Sequence, residues 1–368
     1  MGSQLTEELV LKTLRTVKDP DLQRDIVGLG FVKDLKIEGG SVRFNFELTT
    51  PACPVKDQLK EECETKIRAL PDVSNVEIKM TAHVRGRSAF ETASVLPGVR
   101  NSIAIASGKG GVGKSTVAAN LAIALAKTGA KVGLLDCDIY GPSMPLMFGL
   151  LGRQPQVTSD QKIVPLEAHG IRLMSIGFLA SENAPIIWRG PMVHQIIQQF
   201  LSRVAWGELD YLLLDLPPGT GDAQLTLTQS AALSGAVIVT TPQEVSLIDA
   251  RKGLQMFQKV NVPVLGLIEN MSYFKCPDCG KVAEIFSRGG GQKMSEELGV
   301  PLLGQIPIDS AVVETGDRGI PITAASPDSQ ITKIYQIIAG AIAARMSIAN
   351  MRDGSFDPVE IKWETKKS

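Results

Sequence analysis

Residues 108–116 read Gly-Lys-Gly-Gly-Val-Gly-Lys-Ser-Thr. No other run in the chain restricts its fold as tightly. An apolar stretch, Ser102 to Ser107, precedes it, and an Ala-rich stretch of helical composition, Ser115 to Thr128, follows. Gly108, Gly110, Gly111 and Gly113 let the backbone curl around Val112 so that several N–H groups face one anion. A helix starting at this point adds its partial positive charge. Lys114 then supplies a point charge at the outer phosphates, and the hydroxyl of Ser115, followed by Thr116, can ligate Mg²⁺. Strand, glycine loop and helix in this order spell a phosphate-binding loop.

The rest of the large unit repeats the strand–helix pattern. Lys131 to Cys137, Ile171 to Ile176, Tyr211 to Leu216, Ala236 to Thr241, Val264 to Ile268 and Leu302 to Ile306 are continuous apolar strands. Such strands, separated by helices, form a mainly parallel sheet covered on both faces. A last helix is expected from Ser329 to Arg345. Ahead of this lies a different pattern. Thr6 to Val17 reads as a helix, followed by a turn at Asp19-Pro20. Val32 to Ile37 and the period-two strand Val42 to Leu48 flank a Gly39-Gly40 turn. A helix from Val55 to Leu70 and a strand from Val73 to Met80 complete a small unit. The expected fold is therefore an α/β P-loop NTPase with a mainly parallel sheet flanked by helices, preceded by a small α+β domain. The expected boundaries are 1–80 for the small domain, 81–100 for a linker, 101–350 for the large domain and 351–368 for a polar tail.

The formal net charge of −1 gives no electrostatic support for nucleic acid as a main partner. No apolar run is long enough to cross a bilayer, and the first twenty residues do not read as a signal peptide. Five cysteines, an odd number in 368 residues, speak against a disulfide framework and for a reducing, cytoplasmic setting with thiols free for metal work. Cys276-Pro277-Asp278-Cys279-Gly280 places two thiols two residues apart. A closed zinc site needs four protein ligands, and no second pair exists in the chain. A two-fold dimer would bring four cysteines together, enough for one Zn²⁺ or one [4Fe-4S] cluster; spacing leaves the two metals undecided. A redox pair or an unligated loop are the remaining readings. Cys63, mid-helix, and Cys137, in a strand, read as core residues.

The Lys-Gly-Gly-x-Gly-Lys-Ser-Thr run resembles the deviant phosphate-loop family of MinD, ParA, the arsenite-pump ATPase and the nitrogenase iron protein. That resemblance implies that the early lysine, Lys109, acts across a face-to-face dimer, and that Asp138 in Asp136-Cys137-Asp138 orients the attacking water, Asp136 being structural. Asp215, closing Tyr211-Leu212-Leu213-Leu214-Asp215, matches the Mg²⁺ ligand of phosphate-loop NTPases, with a glycine-bearing switch from Pro217 to Asp222 after it. Asn270 matches the adenine-contacting asparagine. Lys109, Lys114 and Asp138 form the implied catalytic set.

Cys-Pro-x-Cys, together with Glu269 to Phe274, Gly289-Gly290-Gly291 and Asp138-Ile139-Tyr140-Gly141-Pro142-Ser143, is similar to one branch of that family, the Mrp/ApbC iron–sulfur carriers. The likeness spans about residues 98–345. Asp19-Pro20, Asp25 to Gly30 and Thr49-Thr50-Pro51-Ala52-Cys53-Pro54 resemble a small iron–sulfur assembly domain found alone in SufT-like proteins. Cys53 precedes a helix, where the dipole should lower its pKa and suit a transient cluster or target contact; the other reading is a small apolar residue filling the turn. The resemblance implies slow, switch-like hydrolysis of ATP to ADP and phosphate, with Mg²⁺. It implies a homodimer holding a [4Fe-4S] cluster on Cys276 and Cys279, with zinc possible in isolated protein. Expected partners are apo iron–sulfur proteins and a cluster scaffold or donor, with neither nucleic acid nor membrane. The alternative is a MinD/ParA-like positioning ATPase with a structural zinc site; a redox protein like the nitrogenase iron protein would carry its cysteines in separate loops.

Overall fold

The computed structural model describes residues 5–84, 86, 95–139, 141–179, 190–287 and 289–353. Most of the expected linker's middle, Tyr140 of the Asp138 to Ser143 segment and positions 354–368 of the expected tail lie outside them.

The small N-terminal unit opens with α1 (Glu7–Leu14), capped by the Thr6 hydroxyl, which accepts from the Leu9 N–H at 3.2 Å. The helix stops three residues short of the expected Val17. Two short strands follow, β1 (Lys18–Asp19) and β2 (Arg24–Asp25), paired across the Asp19-Pro20 turn. The Asp19 carboxylate caps that turn, accepting from the N–H groups of Asp21 and Leu22 at 2.9 Å each. β3 (Val32–Glu38) and β4 (Ser41–Leu48) form the hairpin over Gly39-Gly40, both at positive φ. Alternation along β4 buries Val42, Phe44, Phe46 and Leu48. These pack against Leu59, Cys63 and Ile67, spaced by four on α2 (Lys56–Arg68). β5 (Asn75–Ala82) runs parallel to β4. It starts two residues later than expected, because Asp72 turns the chain at φ +62°.

The large unit is built on one eight-stranded sheet. Its elements are β6 (Val99–Ala106), α3 (Lys114–Lys127), β7 (Val132–Asp136), α4 (Met144–Met147), β8 (Leu166–Ala168), β9 (Ile171–Ser175) and α5 (Gly190–Arg203). β10 (Leu209–Asp215), α6 (Asp222–Ser230), β11 (Gly235–Thr240), α7 (Glu244–Lys259) and β12 (Val264–Glu269) follow. A small hairpin, β13 (Phe274–Lys275) and β14 (Val282–Ala283), interrupts the pattern before α8 (Gly290–Leu298) and β15 (Leu302–Gln305). α9 (Ser310–Asp317), α10 (Ile322–Ala325) and α11 (Gln330–Asp353) end the described chain. The strand order is β15-β12-β11-β6-β10-β7-β9-β8. All neighbours are parallel except β8 and β9. β7, β10 and β11 are buried along their whole length or nearly so, as expected for strands covered on both faces. Sequence reading missed the edge strand β8, which is short and half-exposed. α11 runs eight residues past the expected Arg345.

Parallel strands put their carboxyl ends on one edge, and the loops leaving β6, β7, β10 and β12 therefore share it. The small unit meets the opposite edge. Tyr211, near the start of β10, is buried and donates its hydroxyl to the Thr50 hydroxyl at 3.0 Å. Ala52 belongs to the large unit's hydrophobic core although it lies in the small unit's chain. On α11, a Cβ at Gly340 would stand 3.2 Å from the Ala52 carbonyl oxygen. The expected 81–100 linker is also tied down at both ends. β5 reaches Ala82, β6 begins at Val99, and Val84 and Leu96 are buried in the large core.

Candidate functional site

The glycine loop joins β6 to α3. Gly113 is the cap residue of α3 at φ +79°, a conformation glycine adopts without strain. The loop is held from three sides. Ser107 donates its hydroxyl to the Lys109 carbonyl at 3.0 Å, and its own carbonyl accepts from the Gly219 N–H at 3.0 Å. Gly108 lies so close to α7 that a Cβ there would fall 2.2 Å from the Asp249 backbone. Asn270, after β12, donates from Nδ2 to the Val112 carbonyl at 2.8 Å. The structure thus spends the Asn270 amide on bracing the loop. A cavity of about 200 Å³ opens above it, lined by residues 109–116 with Ser107, Asp138 and Pro218.

Beneath the cavity, Lys114 and Asp215 form an ion pair at 2.5 Å with both side chains buried. The second Asp215 oxygen accepts from the Ser115 hydroxyl at 2.6 Å. One carboxylate thereby presets both the lysine and the hydroxyl. Burial pushes the Asp215 pKa up, against the opposing pull of Lys114 and Ser115. The neighbouring strand end carries Asp136, fully buried, whose carboxylate accepts from the Ser175 hydroxyl at 2.8 Å and the Asp138 N–H at 3.1 Å. Burial, and then the nearby Asp215, raise Asp136 to about 7. Asp136 therefore fixes the loop that carries Asp138, and Asp138 faces the cavity. Lys109 is exposed at the loop's outer side. Lys109, Lys114, Ser115, Asp138, Asp215 and Asn270 thus converge on one edge of the sheet. Pro218 joins them from the Pro217 to Asp222 segment, and Ser175 joins them without a local motif that could have announced it.

The cysteine pair stands apart from the loop, in the turn between β13 and β14. Cys276 accepts from the Gly280 N–H at 2.9 Å through its carbonyl and donates its own N–H to the Lys281 carbonyl at 3.0 Å. Its thiol accepts from the N–H groups of Cys279 and Asp278, and those hydrogen bonds hold its pKa below the ordinary thiol value. Cys276 is half-exposed and Cys279 exposed. Among the described residues no group of three or more His, Cys, Asp or Glu could hold a metal ion. The pair does not sit at a helix N-terminus, where a thioredoxin-type motif belongs.

Of the two readings of Cys53, the lowered thiol pKa is not met. Its thiol does feel the backbone N–H of Val55 ahead of α2, which lowers its pKa, but burial outweighs this and pushes the thiol up to about 11. Asp19 and Asp21 push in the same direction. Cys63 and Cys137 are buried core residues.

A model of the NUBPL iron-transfer P-loop NTPases matches residues 98–343. The chain belongs to that family. A second model, of iron–sulfur cluster assembly proteins, matches residues 7–79. A relative from Synechocystis sp., called an iron–sulfur cluster carrier protein, is 52% identical over 349 residues, covering 94% of this chain and 99% of its own. A carrier protein of the same name from Deinococcus radiodurans is 46% identical, covering 94% and 97%. Among solved structures, a nucleotide-binding protein from Archaeoglobus fulgidus in complex with ADP is 40% identical with a TM-score of 0.58, covering 67% of this chain and 97% of that one. This chain is a P-loop NTPase of that family, with a large, mainly parallel sheet and a small N-terminal domain. No described helix is long and apolar enough to cross a membrane.

Proposed function

We propose that this chain is an ATP-dependent iron–sulfur cluster carrier acting as a homodimer. One observation carries the reading: an exposed hairpin presents two cysteines, one with a lowered pKa, and the described residues offer no third ligand. A [4Fe-4S] cargo needs four thiolates, so two copies must each contribute Cys276 and Cys279. The names of its relatives favour iron–sulfur cargo over zinc. Its recipients are apo iron–sulfur proteins, and its supply is a scaffold or donor.

Nucleotide binds in the cavity over the loop, its phosphates on the N–H groups of residues 110–116 and on Lys114. The hydroxyl of Ser115 and the carboxylate of Asp215, 2.6 Å apart, form an all-oxygen donor set that fits Mg²⁺. Mg²⁺ held there would neutralise phosphate charge. Asp138 orients the attacking water from the cavity wall, and exposed Lys109 reaches the partner copy's nucleotide. Asn270 keeps the loop in shape and leaves its Oδ1 to the base.

The test is anaerobic cluster reconstitution on wild-type and Cys276→Ala chains, counting iron, sulfide and zinc and measuring oligomeric mass. About four irons per dimer in the wild type, absent from the variant, is the expected result. Equal iron and sulfide in both chains would refute the shared site.

A further inference from the structure

Between the nucleotide loop and the cysteine hairpin lies Glu269, the last residue of β12, fully buried. Its carboxylate is surrounded by donors. Oε1 accepts from the Ser272 hydroxyl at 2.5 Å and from Gln305 Nε2 at 2.8 Å. Oε2 accepts from the Gly291 N–H, in the first turn of α8, at 2.5 Å. The fit is close: a Cβ at Gly291 would stand 2.8 Å from Oε2. This gives Gly291, the last of the three glycines, a reason, because a side chain there would crowd the carboxylate at the helix end.

The next two residues touch the nucleotide loop. Asn270 Nδ2 bonds the Val112 carbonyl, and a Cβ at Gly113 would fall 2.3 Å from that same nitrogen and 3.5 Å from Cε of Met271. Met271 is itself held at φ +53°, a region that unbranched side chains occupy only under constraint. The chain then runs straight into the hairpin. The Ser272 N–H donates to the Ile306 carbonyl at 2.9 Å, the Ile308 N–H donates to the Tyr273 carbonyl at 2.7 Å, and Phe274 bridges Ile308. Cys276 is two residues further on. Residues 269–274 are therefore one braced segment, with the loop at one end, the cysteines at the other and Glu269 tying it to α8 and β15.

We propose that Glu269 is the positioning residue through which the nucleotide loop sets the geometry of the Cys276–Cys279 hairpin. A shift of Val112 or Gly113 on nucleotide binding acts on Asn270 and Met271, and the Glu269 clamp makes the segment answer as a unit instead of letting the turn at Met271 absorb the movement. The inference rests on the reading that this hairpin carries the cargo ligands, but its test does not need iron.

Glu269→Gln is the sharpest variant. A carboxamide keeps the size but removes the charge and has one acceptor oxygen; with that oxygen on the Gly291 N–H, its NH₂ faces Ser272 and Gln305, which must both turn round to accept from it. The charge-assisted ties are lost and the clamp is weakened. The readout on full-length metal-free protein is the rate at which Cys276 and Cys279 react with iodoacetamide, with and without ATP·Mg²⁺, alongside nucleotide affinity by equilibrium titration. In the wild type, ATP should change the labelling rate about five-fold or more, matching a coupling free energy of ordinary size. In Glu269→Gln that ratio should fall below two while nucleotide affinity stays within about three-fold. Ser272→Ala, which removes one donor and keeps the carboxylate, should give an intermediate ratio and a normal melting temperature. A wild-type ratio of one, or a full ratio in Glu269→Gln, overturns the proposal. If Glu269→Gln does not fold, a full wild-type ratio in Ser272→Ala overturns it. Glu269-dependent labelling in a chain that binds no iron would sink the cargo reading and leave this one standing.

Discussion

Two cysteine-bearing loops in this molecule share the dipeptide Cys-Pro, and their thiol pKa values are shifted in opposite directions. Cys276 lies in an open hairpin turn, where N–H groups point at its sulfur and water is at hand. Cys53 lies in a loop pressed onto the amino-terminal edge of the large sheet, where loss of water outweighs the helix behind it. A thiol's reactivity follows its thiolate fraction, and that fraction depends on the balance of desolvation and hydrogen bonding more than on adjacent residues. The hairpin is arranged to hold something charged. The docked loop is arranged to keep its sulfur a neutral thiol.

The largest effect that separates the two concerns metal. Cys276→Ala should lose essentially all reconstituted iron, while Cys53→Ala should keep it, as iron analysis after gel filtration will show. Equal losses would erase the contrast. Next comes alkylation of metal-free protein at pH 8, read by peptide mass spectrometry. Moving a thiol from its ordinary value of 9.0 to about 11 cuts the thiolate roughly hundredfold, so Cys276 should label at least that much faster than Cys53. The profiles differ in where they bend: both rise with pH, but Cys53 labelling should climb about tenfold per pH unit until about pH 11, whereas the Cys276 rise should bend over earlier than that of an ordinary thiol. Parallel profiles would break the comparison.

A smaller effect comes from prising the docked loop away. Gly340→Leu places a side chain where a Cβ alone already meets the Ala52 carbonyl at 3.2 Å and Pro54 at 3.7 Å. Within a helix the change gains about 1 kcal/mol of propensity, so α11 itself should tolerate it. Cys53 labelling should rise about tenfold with Cys276 unaffected. The smallest effect is Tyr211→Phe, which removes the hydroxyl contact to Thr50 and costs about 1 kcal/mol. A melting temperature lower by a few degrees and a two- to five-fold rise in Cys53 labelling are expected. No change in either variant would mean that docking does not protect the thiol.

Much of the large domain was legible from residue order. The glycine loop, Lys114 and Ser115 lie next to each other in the chain, and a strand must precede them and a helix follow for the chemistry to work. Continuous apolar strands announced the parallel sheet, and parallel strands bring their carboxyl ends together. Strand ends thus put Asp138, Asp215 and Asn270 toward one edge, while their roles came from the family resemblance. The misses are of another kind. β8 is too short and too exposed to leave a pattern. Met271 turns the chain with a residue that does not advertise positive φ. The neighbours of Cys53 left both an acidic thiol and an apolar turn residue open, and the burial that decides between them comes from packing against the small unit's core, whose members lie far apart in the chain.

Residue order alone therefore determined the phosphate loop, the alternation of strands and helices, and the presence of a lone cysteine pair, because each depends on neighbours within a turn or two. Folding decided which groups lose water and which donors meet which acceptors. Glu269 met Gly291 and Gln305, and Thr50 met Tyr211, across separations of 22, 36 and 161 residues. Hydrogen bonding at 3 Å and desolvation act through space, and the chain's order does not encode distance in space until the sheet has formed.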